Sequence, residues 1–516
     1  MKLVDAETMR LIDRAAIRTF GMNGLVLMEN AGRAVAEVVK REAGDKPHRI
    51  LMLAGSGNNG GDAYVAARHL KNAGFNVAVA SLARQSGVKA DAGINAGIWR
   101  NMGGETFPVL STKDMERFRT GFLHAGIIVD GIFGTGLSTP VKGVVAEVIG
   151  FINRLNKKVI SIDVPSGIDS TTGGVLGSAV KAGITVTMAL PKLGLYLYPG
   201  RSYAGAVEVA DIGCPKGLLE KDSIKWNLST GGLIRSILRP RLSDAHKGSY
   251  GHALVIAGSR GKTGAAYLSA MGAMRMGAGL CTIAVPESLN PAMEAKTTEV
   301  MTCPVPEAGD GMFGIKSFDA IKGCMKGKSS VVMGPGLGVS DEITGLVERV
   351  VMCSGIPVVL DADGLNAVKG DLTALKKAKA ELILTPHPGE MARLLNTTAA
   401  IVQRDRVSAA LRLADDAGAT VALKGASTVI ALKDGSVFIN PTGNPGLATA
   451  GTGDVLSGMA AGMAAQGYDV QDAAIASVFL HGLAADEIKN RQGDAGLIAT
   501  DILNELPRLI NSLCPA

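Results

Sequence analysis

Aromatic side chains are scarce in this sequence: Phe, Trp and Tyr together make up 4% of its 516 residues. The chain is instead 47% hydrophobic and contains 67 glycines, a balance that excludes fibrous and disordered proteins. This composition favours an α/β architecture with many tight turns between strands and helices. Because domains usually hold ~100–200 residues, a chain of this length should divide into more than one.

Cysteine pairs with metal-binding spacing are also absent. No C-x-x-C sequence occurs, and the six cysteines lie far apart (Cys214, Cys281, Cys303, Cys324, Cys353 and Cys514). Such scattered thiols argue against a zinc site and against a disulfide framework. We therefore expect the cysteines to be reduced.

Long apolar runs and blocks of charge are missing too. No uninterrupted apolar stretch reaches the ~18–20 residues of a membrane span, and the N-terminal residues lack the apolar region of a signal peptide. These absences predict a cytoplasmic protein with no membrane partner. The net charge of +6 is spread along the chain. This spread predicts mild attraction for small anions and argues against nucleic acid as a partner.

Strand-like and helix-like segments alternate in the N-terminal part of the chain. Helical spacing over residues 8–20 and 25–40 precedes short apolar runs that are typical of buried parallel strands. Helical stretches separate these runs, and the rhythm predicts an α/β domain with a Rossmann-like, doubly wound sheet. The expected strands are residues 49–54, 76–81, 125–130, 158–163 and 182–189.

A basic, poorly periodic stretch near residues 215–240 separates this part from a second alternating series. We place a domain boundary there, which predicts one domain at residues 1–220 and another at 226–516. The second domain is also expected to be α/β. Its expected strands are residues 252–257, 330–333, 357–361, 382–385 and 420–424, with part of a hairpin at 435–440.

The segment after the first predicted strand, residues 55–60, matches the pattern G-x-G-x-x-G. A dinucleotide-binding fingerprint also needs an acidic residue ~20 residues later, and the next strand ends without one. The more informative feature is an overlapping run of two amides, two glycines and an acid, where backbone can approach a ligand closely. This run consists of Asn58, Asn59, Gly60, Gly61 and Asp62.

Three further loops follow predicted parallel strands, and they begin at Asp130, Asp163 and Pro191. They should lie at the same sheet edge as the amide run, because open α/β sheets bind ligands at the carboxyl ends of their strands. Asn59, Asp130 and Ser166 offer hard oxygen ligands whose low charge favours a monovalent cation. Each acid taken singly is as well explained as a helix cap, and their convergence at one edge favours a site.

The most informative stretch of the second domain is residues 444–458, where four glycines and one acid, Asp454, meet an apolar helical pattern. A glycine-rich turn that enters a helix offers unpaired N–H groups and the positive end of a dipole, which suits a phosphate. An acid just inside that anion hole is placed as a general base for a hydroxyl near a phosphoryl group. The alternative is a glycine-rich connection between two core helices.

Other loops of the second domain carry complementary groups. Residues 261–263 read Gly-Lys-Thr but form no P-loop, because position 256 is Ile where that motif needs glycine. His387 stands between two prolines after a strand, a rigid position that favours ligand contact over the structural role of most lone histidines. Residues 424–428 supply a cation, a glycine and two hydroxyls for the phosphates of a nucleotide. With Asp454, these are the components of phosphoryl transfer.

Seven motifs, in this order, resemble those of the bifunctional NAD(P)H-hydrate repair enzymes. They are N-N-G-G-D at 58–62, F-G-T-G at 133–136, D-V-P-S-G at 163–167, G-P-G-L-G at 334–338, T-P-H-P-G-E at 385–390, K-G-A-S-T at 424–428 and G-T-G-D at 451–454. The resemblance covers nearly the whole chain. It implies an NAD(P)H-hydrate epimerase domain followed by an ADP- or ATP-dependent dehydratase domain with a ribokinase-like α/β fold.

The resemblance also implies which residues bind each ligand. In the epimerase domain the hydrated nucleotide would be held by Asn58, Asn59, Gly60, Gly61, Asp62, Gly134, Thr135, Gly136, Leu137, Ser138, Thr139, Pro140 and Asp163, and potassium by Asn59, Asp130 and Ser166. In the dehydratase domain Ala265, Gly336, His387 and Asp454 would contact the hydrate. The adenine nucleotide would contact Lys424, Gly425, Ala426, Ser427, Thr428 and Gly453, with magnesium beside it.

The implied function is repair of hydrated NADH and NADPH, that is, NADHX and NADPHX. The first domain would interconvert the R and S epimers. The second would phosphorylate the C6 hydroxyl of the S epimer with ADP (or ATP), so that AMP (or ADP) and phosphate leave. Asp454 is expected to deprotonate that hydroxyl, and our hypothesis is that Asp163 takes part in the proton transfers of epimerisation. We also expect a homo-oligomer, and the residues leave the choice between ADP and ATP open.

One alternative is a ribokinase-like small-molecule kinase with a non-catalytic nucleotide-binding N-terminal domain. Its glycine-rich anion hole and aspartate base would have the same sequence signature. The products distinguish the two, because a kinase releases a stable phosphorylated compound whereas a dehydratase releases inorganic phosphate and NAD(P)H.

Overall fold

The chain folds into two compact units, Lys2–Trp226 and Asn227–Ala516, with Met1 belonging to the second. The structure is a computed structural model, and it describes residues 1–44, 48–88, 90–368 and 370–514. Each unit has its own largely parallel sheet with helices between the strands. The predicted α/β class is confirmed for both units.

The sheet of the first unit is doubly wound. Its strand order is β3-β2-β1-β4-β5-β6-β7, and neighbouring strands run parallel. The order reverses between β1 and β4, which is where such sheets open a ligand-binding crevice. The strands are β1 Arg49–Ala54, β2 Asn76–Ser81, β3 Glu105–Pro108, β4 Ala125–Gly131, β5 Lys158–Ile162, β6 Ile184–Met188 and β7 Ala206–Ala210.

Helices connect these strands and cover the sheet with apolar residues. The third helix begins at Asn58, so the amide run expected as a loop is the first turn of a helix. The helices are α1 Ala6–Arg18, α2 Gly24–Ala43, α3 Asn58–Asn72, α4 Ala90–Asn101, α5 Thr112–Arg117, α6 Arg119–His124, α7 Gly143–Arg154, α8 Arg201–Ala204 and α9 Lys216–Leu219.

The sheet of the second unit has the order β11-β10-β9-β12-β13-β14-β15-β16-β17-β8. From β11 to β15 neighbouring strands run parallel, and β16 and β17 continue the sheet antiparallel as a hairpin. Its reversal point lies between β9 and β12. The strands are β8 Trp226–Leu228, β9 His252–Ile256, β10 Leu280–Pro286, β11 Met301–Val305, β12 Ser330–Met333, β13 Val358–Leu360, β14 Leu382–Leu384, β15 Thr420–Leu423, β16 Val429–Ala431 and β17 Val437–Ile439.

Helices of this unit enclose the main core, which includes the buried faces of three long C-terminal helices. Among the helices described, none combines the length and the hydropathy of a transmembrane segment. They are α10 Gly231–Ile237, α11 Thr263–Arg275, α12 Asn290–Lys296, α13 Phe318–Cys324, α14 Asp341–Cys353, α15 Asp363–Val368, α16 Thr373–Lys376, α17 Pro388–Leu394, α18 Ala399–Arg404, α19 Arg406–Ala417, α20 Thr452–Ala465, α21 Val470–Gln492 and α22 Ala499–Leu513.

The expectation that all cysteines are reduced is wrong for one pair. Cys303 on β11 and Cys324 at the end of α13 form a disulfide across 21 residues of sequence. The packing of α13 against β11 brings the two together, and the spacing of cysteines in the sequence carries no signal of that contact. Cys214 and Cys281 are buried free thiols, as expected.

Helices α11 and α20 pack closely because glycines line their contact. A Cβ atom on Gly272 would lie 2.5 Å from the carbonyl oxygen of Val455, and one on Gly458 would lie 1.9 Å from that of Ser269. Gly462 meets the backbone of α11 one turn later. No side chain larger than hydrogen fits at these positions without moving a helix, since interiors are close-packed.

We therefore predict that Gly458→Ala destabilises the protein by at least about 1–3 kcal/mol, the usual cost of overpacking a core. Gly323→Ala is the matched control, because Gly323 is an exposed helical glycine with open space around its Cβ position. The control should be neutral or stabilising by up to about 1 kcal/mol. Urea unfolding of the two variants measures the difference, and equal stabilities would contradict the close contact.

Candidate active sites

A cavity of about 580 Å³ lies at the carboxyl ends of β1, β4 and β5 in the first unit, at the reversal point of its sheet. Ten of the residues predicted to bind the hydrated nucleotide line it: Asn58, Asn59, Asp62, Gly134, Thr135, Gly136, Leu137, Ser138, Thr139 and Asp163. A pocket of this volume accommodates a nucleotide-sized ligand. The predicted convergence of separate loops at one sheet edge is therefore present in the fold.

Three other predicted contacts, Gly60, Gly61 and Pro140, are not among the lining residues that the structure describes. A Cβ atom on Gly60 would lie 2.1 Å from the carbonyl oxygen of Gly55, and one on Gly61 would lie 2.6 Å from the sulfur of Met28. The two glycines thus let the first turn of α3 pack against its neighbours. This packing places Asn59 and Asp62, and contact of Gly60, Gly61 and Pro140 with the nucleotide stays a prediction.

An ion pair between Lys192 and Asp163 lines this cavity. Lys192 Nζ lies 2.5 Å from Asp163 Oδ1, and the Lys192 side chain is 1% exposed. Nζ also donates hydrogen bonds to the carbonyl oxygen of Met188 (2.8 Å) and to Thr187 Oγ1 (3.2 Å). Asp163 leaves β5 with φ +65°, an uncommon conformation outside glycine that turns its carboxylate toward the cavity loops. Its Oδ2 accepts a hydrogen bond from the N–H of Thr135 (3.4 Å).

Three further carboxyls line the cavity with this pair, Asp62 on α3, Asp13 on α1 and Asp91 on α4. Burial, reinforced by the charges of Asp163 and Asp13, raises the pKa of Asp62 well above its usual value. Burial also raises the pKa of Asp13, although Lys192 opposes the shift. The site therefore combines a paired carboxylate with neighbouring carboxyls that favour the protonated form, an arrangement suited to acid–base chemistry.

The residues predicted to hold potassium surround the Phe133 carbonyl. Ser166 donates to Asp130 Oδ1 at 2.6 Å, and both Ser166 Oγ (3.1 Å) and Asn59 Nδ2 (3.0 Å) lie within hydrogen-bond distance of the Phe133 oxygen. Asp130 is fully buried, and burial raises its pKa against the opposing hydrogen bonds from Ser166 and Ser161. Carboxylate, hydroxyl and carbonyl oxygens thus lie together, a ligand set that fits a hard, low-charge cation. Asn59 turns its amide nitrogen, a donor, toward the carbonyl oxygens of Phe133 and Ile162.

A second cavity, of about 410 Å³, opens where α11 and α20 begin in the second unit. Ala265, Gly336 and Asp454, three of the predicted hydrate contacts, line it together. Lys262 and Asp363 also line it, and their charged atoms lie 3.4 Å apart.

Asp454 occupies the first turn of α20, which begins at Thr452 after the left-handed residue Gly451. Its backbone is fixed from α11, because Ser269 Oγ donates a hydrogen bond to the Asp454 carbonyl oxygen (3.0 Å). Burial, followed by the charge of Asp361, raises the pKa of the Asp454 carboxyl to about 6. A carboxylate with a pKa near the working pH is well matched to general-base catalysis.

A buried ion pair lies next to this acid. Lys424 Nζ is 2.6 Å from Asp361 Oδ1, and the Asp361 side chain is 1% exposed whereas that of Lys424 is 20% exposed. Burial opposes the charged form of Lys424, but the charges of Asp361 and Glu390 outweigh it and raise the lysine pKa. A Cβ atom on Gly453 would lie 3.5 Å from Lys424 Nζ, so the predicted nucleotide contacts Lys424 and Gly453 adjoin each other.

The rest of the predicted nucleotide loop, residues 425–428, curls over the buried side chain of Arg406. Gly425 has φ +139°, and a Cβ atom there would lie 2.9 Å from Arg406 Nη1. Ser427 is buried with φ +55°, and its hydroxyl has no hydrogen-bond partner among the described residues. An unpaired buried hydroxyl in a strained loop is a natural contact for a phosphate or ribose oxygen.

His387 has a structural role that the sequence did not indicate. Its Nδ1 accepts hydrogen bonds from the N–H groups of Gly389 (3.0 Å) and Glu390 (3.3 Å), which caps α17. Burial and the charge of Lys424 lower its pKa, which favours the neutral ring. It is not among the described residues that line the second cavity, although it lies beside the Lys424–Asp361 pair. Contact between His387 and the hydrate stays a prediction.

Sequence reasoning gave no role to Asp13, Asp361 or Lys262, all of which belong to the sites, and it placed Lys192 only within a loop at the edge of the first sheet. Lys192 follows one predicted parallel strand and Asp361 is the last residue of another, so the strand-end rule offered a signal for both. Asp13 and Lys262 lie on or before helices, and their sequence contexts carry no such signal. Among the residues that the structure describes, no cluster of three or more His, Cys, Asp or Glu side chains forms a metal site.

Comparison with known families agrees with the division into two sites. Residues 24–194 match the family model described as YjeF-related protein N-terminus, and residues 253–508 match that described as NAD(P)H-hydrate dehydratase. The bifunctional NAD(P)H-hydrate repair enzyme Nnr of Moorella thermoacetica is 43% identical over 515 residues, which is 99% of this chain and 97% of that protein. This chain belongs to the bifunctional NAD(P)H-hydrate repair enzyme family.

Another member of the family matches over the same length, and a solved structure matches over part of the chain. The Nnr protein of Thermofilum pendens is 38% identical over 515 residues, covering 99% of this chain and 97% of that one. A crystal structure of the ADP/ATP-dependent NAD(P)H-hydrate dehydratase from Bacillus subtilis, co-crystallised with ATP and Mg²⁺, covers 56% of this chain and 98% of its own. It is 32% identical, with a TM-score of 0.48.

The buried Lys424–Asp361 pair predicts a strong effect on stability. We expect Lys424→Met to lower the free energy of unfolding by roughly 3–5 kcal/mol, because it leaves a buried carboxylate without a counter-charge. Lys262→Met is the matched control. It breaks a pair whose lysine is 54% exposed, and exposed pairs contribute about 0–1 kcal/mol. Denaturant titration measures both, and a Lys424→Met variant as stable as its control would contradict a buried ion pair.

Proposed function

We propose that this protein repairs hydrated NADH and NADPH in two steps, one in each cavity. The first unit interconverts the R and S epimers at C6, and the second dehydrates the S epimer to NAD(P)H with a nucleotide phosphate. The observation that carries the proposal is the placement of Asp454. It lies within the first turn of α20, in a cavity shared with Ala265 and Gly336 and beside the Lys424–Asp361 pair.

In the dehydration step Asp454 removes the proton of the C6 hydroxyl, whose oxygen attacks the terminal phosphoryl group of ADP or ATP. The bond from that phosphorus to the bridging oxygen breaks, and AMP or ADP leaves. The phosphorylated oxygen then departs from C6 as inorganic phosphate, and loss of the C5 proton restores the double bond of the dihydronicotinamide. Lys424 offsets the negative charge of the phosphates, and the free N–H groups at the start of α20 stabilise the transferring group.

Magnesium, when bound, offsets the charge of the nucleotide phosphates. The described residues form no ready-made cage of carboxylates for it, which agrees with the usual mode, one or two carboxylates plus substrate phosphates. Asp361 is the buried carboxylate beside the nucleotide loop and fits that role.

In the epimerisation step the substrate is a hemiaminal, with the C6 hydroxyl next to the ring nitrogen. We infer that the Asp163 carboxylate accepts the hydroxyl proton while the C6–N1 bond opens and the nitrogen takes a proton from a neutral acid. Asp62, whose pKa is raised by burial, is the carboxyl of the cavity suited to hold that proton. Rotation and reclosure onto the other face of the carbonyl produce the opposite epimer and return both protons.

A monovalent cation, potassium by the resemblance, would be held by the oxygens of Asp130 and Ser166. Asn59 would ligate it with the amide oxygen in place of the nitrogen that donates to the Phe133 carbonyl in this structure. When bound, it would fix the loop that follows β4, which lines the first cavity. The choice between ADP and ATP, a cytoplasmic location and assembly into a homo-oligomer stay predictions.

The dehydration mechanism predicts that Asp454→Asn lowers kcat about 10²–10⁴-fold, as expected when a general base is removed. In wild-type protein kcat/KM should fall tenfold per pH unit below about 6, because protonated Asp454 cannot accept a proton. Asp501→Asn, at the start of α22 and outside the second cavity, serves as the control and should leave both quantities unchanged. A pH-independent rate between pH 5 and 7 would contradict the assignment.

The epimerisation mechanism predicts that Asp163→Asn slows interconversion of the R and S epimers about 10²–10⁴-fold. Dehydration of pure S epimer should be unaffected. Asp169→Asn is the control, since Asp169 follows on the same loop and its Oδ1 caps the turn at Thr171 and Thr172. Separation of the epimers by chromatography over time measures the rate. Interconversion by Asp163→Asn at the wild-type rate would remove Asp163 from the mechanism.

A further inference from the structure

The segment that connects β17 to α20 carries the anion-binding turn of the second cavity. It spans residues 440–451 and has little regular structure apart from a single turn at Pro445–Leu447. A connection of this kind needs external support if Asp454 is to be held in one place. Helix α21, which does not line the cavity, supplies that support.

Asp486 on α21 holds the middle of the segment. Its Oδ2 accepts a hydrogen bond from the N–H of Gly443 (2.8 Å), and its Oδ1 accepts one from Asn444 Nδ2 (3.0 Å). Asn444 Oδ1 in turn accepts from the N–H of Gly446 (3.0 Å). One carboxylate therefore fixes two consecutive residues of the connection and, through Asn444, the turn that follows.

His481, five residues earlier on α21, holds the end of the segment. It is buried, and its Nε2 lies 2.9 Å from the carbonyl oxygen of Thr452, the first residue of α20. A carbonyl oxygen can only accept, so Nε2 carries a hydrogen and donates it. Burial lowers the pKa of His481 to about 4, which keeps the ring neutral at ordinary pH. The carbonyl that it binds lies two residues before Asp454.

On the same side of α21, the helix lies so close to the segment that only glycine fits at position 482. A Cβ atom on Gly482 would lie 2.4 Å from Thr442 Oγ1, and that hydroxyl donates to the carbonyl oxygen of Phe479 (2.8 Å). Asn440 Nδ2 reaches the carbonyl oxygen of Val478. The helix thus contacts the connection from its first residue to the start of α20.

We propose that His481 and Asp486 are positioning residues for phosphoryl transfer, which lock the 440–454 segment so that Asp454 and the first amides of α20 stay aligned. This inference rests on the proposed dehydratase function. Neither side chain is placed to touch substrate, and each acts through the backbone that it holds. Misplacement of a reacting group by about 1 Å can cost a factor of 10² in rate.

The test compares His481→Met, which removes the donor, with His481→Gln, which keeps an N–H near the position of Nε2. We expect His481→Met to lower kcat for dehydration of the S epimer about 10–100-fold while KM changes much less. His481→Gln should recover most of the loss. Epimerisation, measured on the same full-length protein, should be unchanged. Ser477→Ala is the matched control on α21, because the buried Ser477 hydroxyl has no hydrogen-bond partner among the described residues.

Rates are compared per folded protein, with the folded fraction taken from thermal unfolding. If kcat of His481→Met equals that of wild type, or if His481→Gln is no better than His481→Met, the inference is overturned. If His481→Met does not fold, Asp486→Asn carries the same test, since an amide cannot accept both hydrogen bonds in the observed geometry. An unchanged kcat in Asp486→Asn overturns the inference. Wild-type protein that fails to dehydrate the S epimer with ADP or ATP instead overturns the proposed function, and the inference with it.

Discussion

The contact between α11 and α20 is the constraint on which the second site depends. Two helices approach until the backbone of one meets the glycines of the other, at Gly272 and Gly458. Their N-termini therefore open side by side, with Ala265 on one and Asp454 on the other, and the cavity lies between them. The contact also fixes the position of Asp454 along α11, because Ser269 on α11 donates a hydrogen bond to the Asp454 carbonyl oxygen. A bulkier residue at Gly272 or Gly458 would push the two helices apart and move Asp454 away from Ala265.

Both units form a cavity with the same arrangement of parallel strands. Parallel strands end at one edge, the order of strands reverses, and polar groups from separate loops meet in the gap. The two gaps differ in the charged groups that they contain. In the first, Asp163 is paired with Lys192 among carboxyls whose pKa is raised, which suits movement of protons. In the second, Lys424 and a helix N-terminus accompany Asp454, which suits transfer of a phosphoryl group.

Much of the fold and of the two sites could be predicted from the sequence, because strand ends and glycine-rich turns are local signals. Strand β1 has the predicted bounds, and Asp454 was expected within a helix N-terminus, where it lies. Residues that act through the tertiary fold were missed. His481 is one of many buried residues on α21, and nothing local links it to a carbonyl 29 positions earlier. The Cys303–Cys324 disulfide depends likewise on packing.

The most direct test of two cooperating activities in one chain uses an equilibrated mixture of R and S NADHX with the wild-type protein and ADP, or ATP in a parallel reaction. The return of dihydronicotinamide absorbance measures how much of the mixture is repaired. The account predicts full recovery with release of one inorganic phosphate per NADH formed. Recovery that stops at the S fraction would contradict the epimerase assignment. A stable phosphorylated product without recovery of absorbance would contradict the dehydratase assignment and identify a kinase.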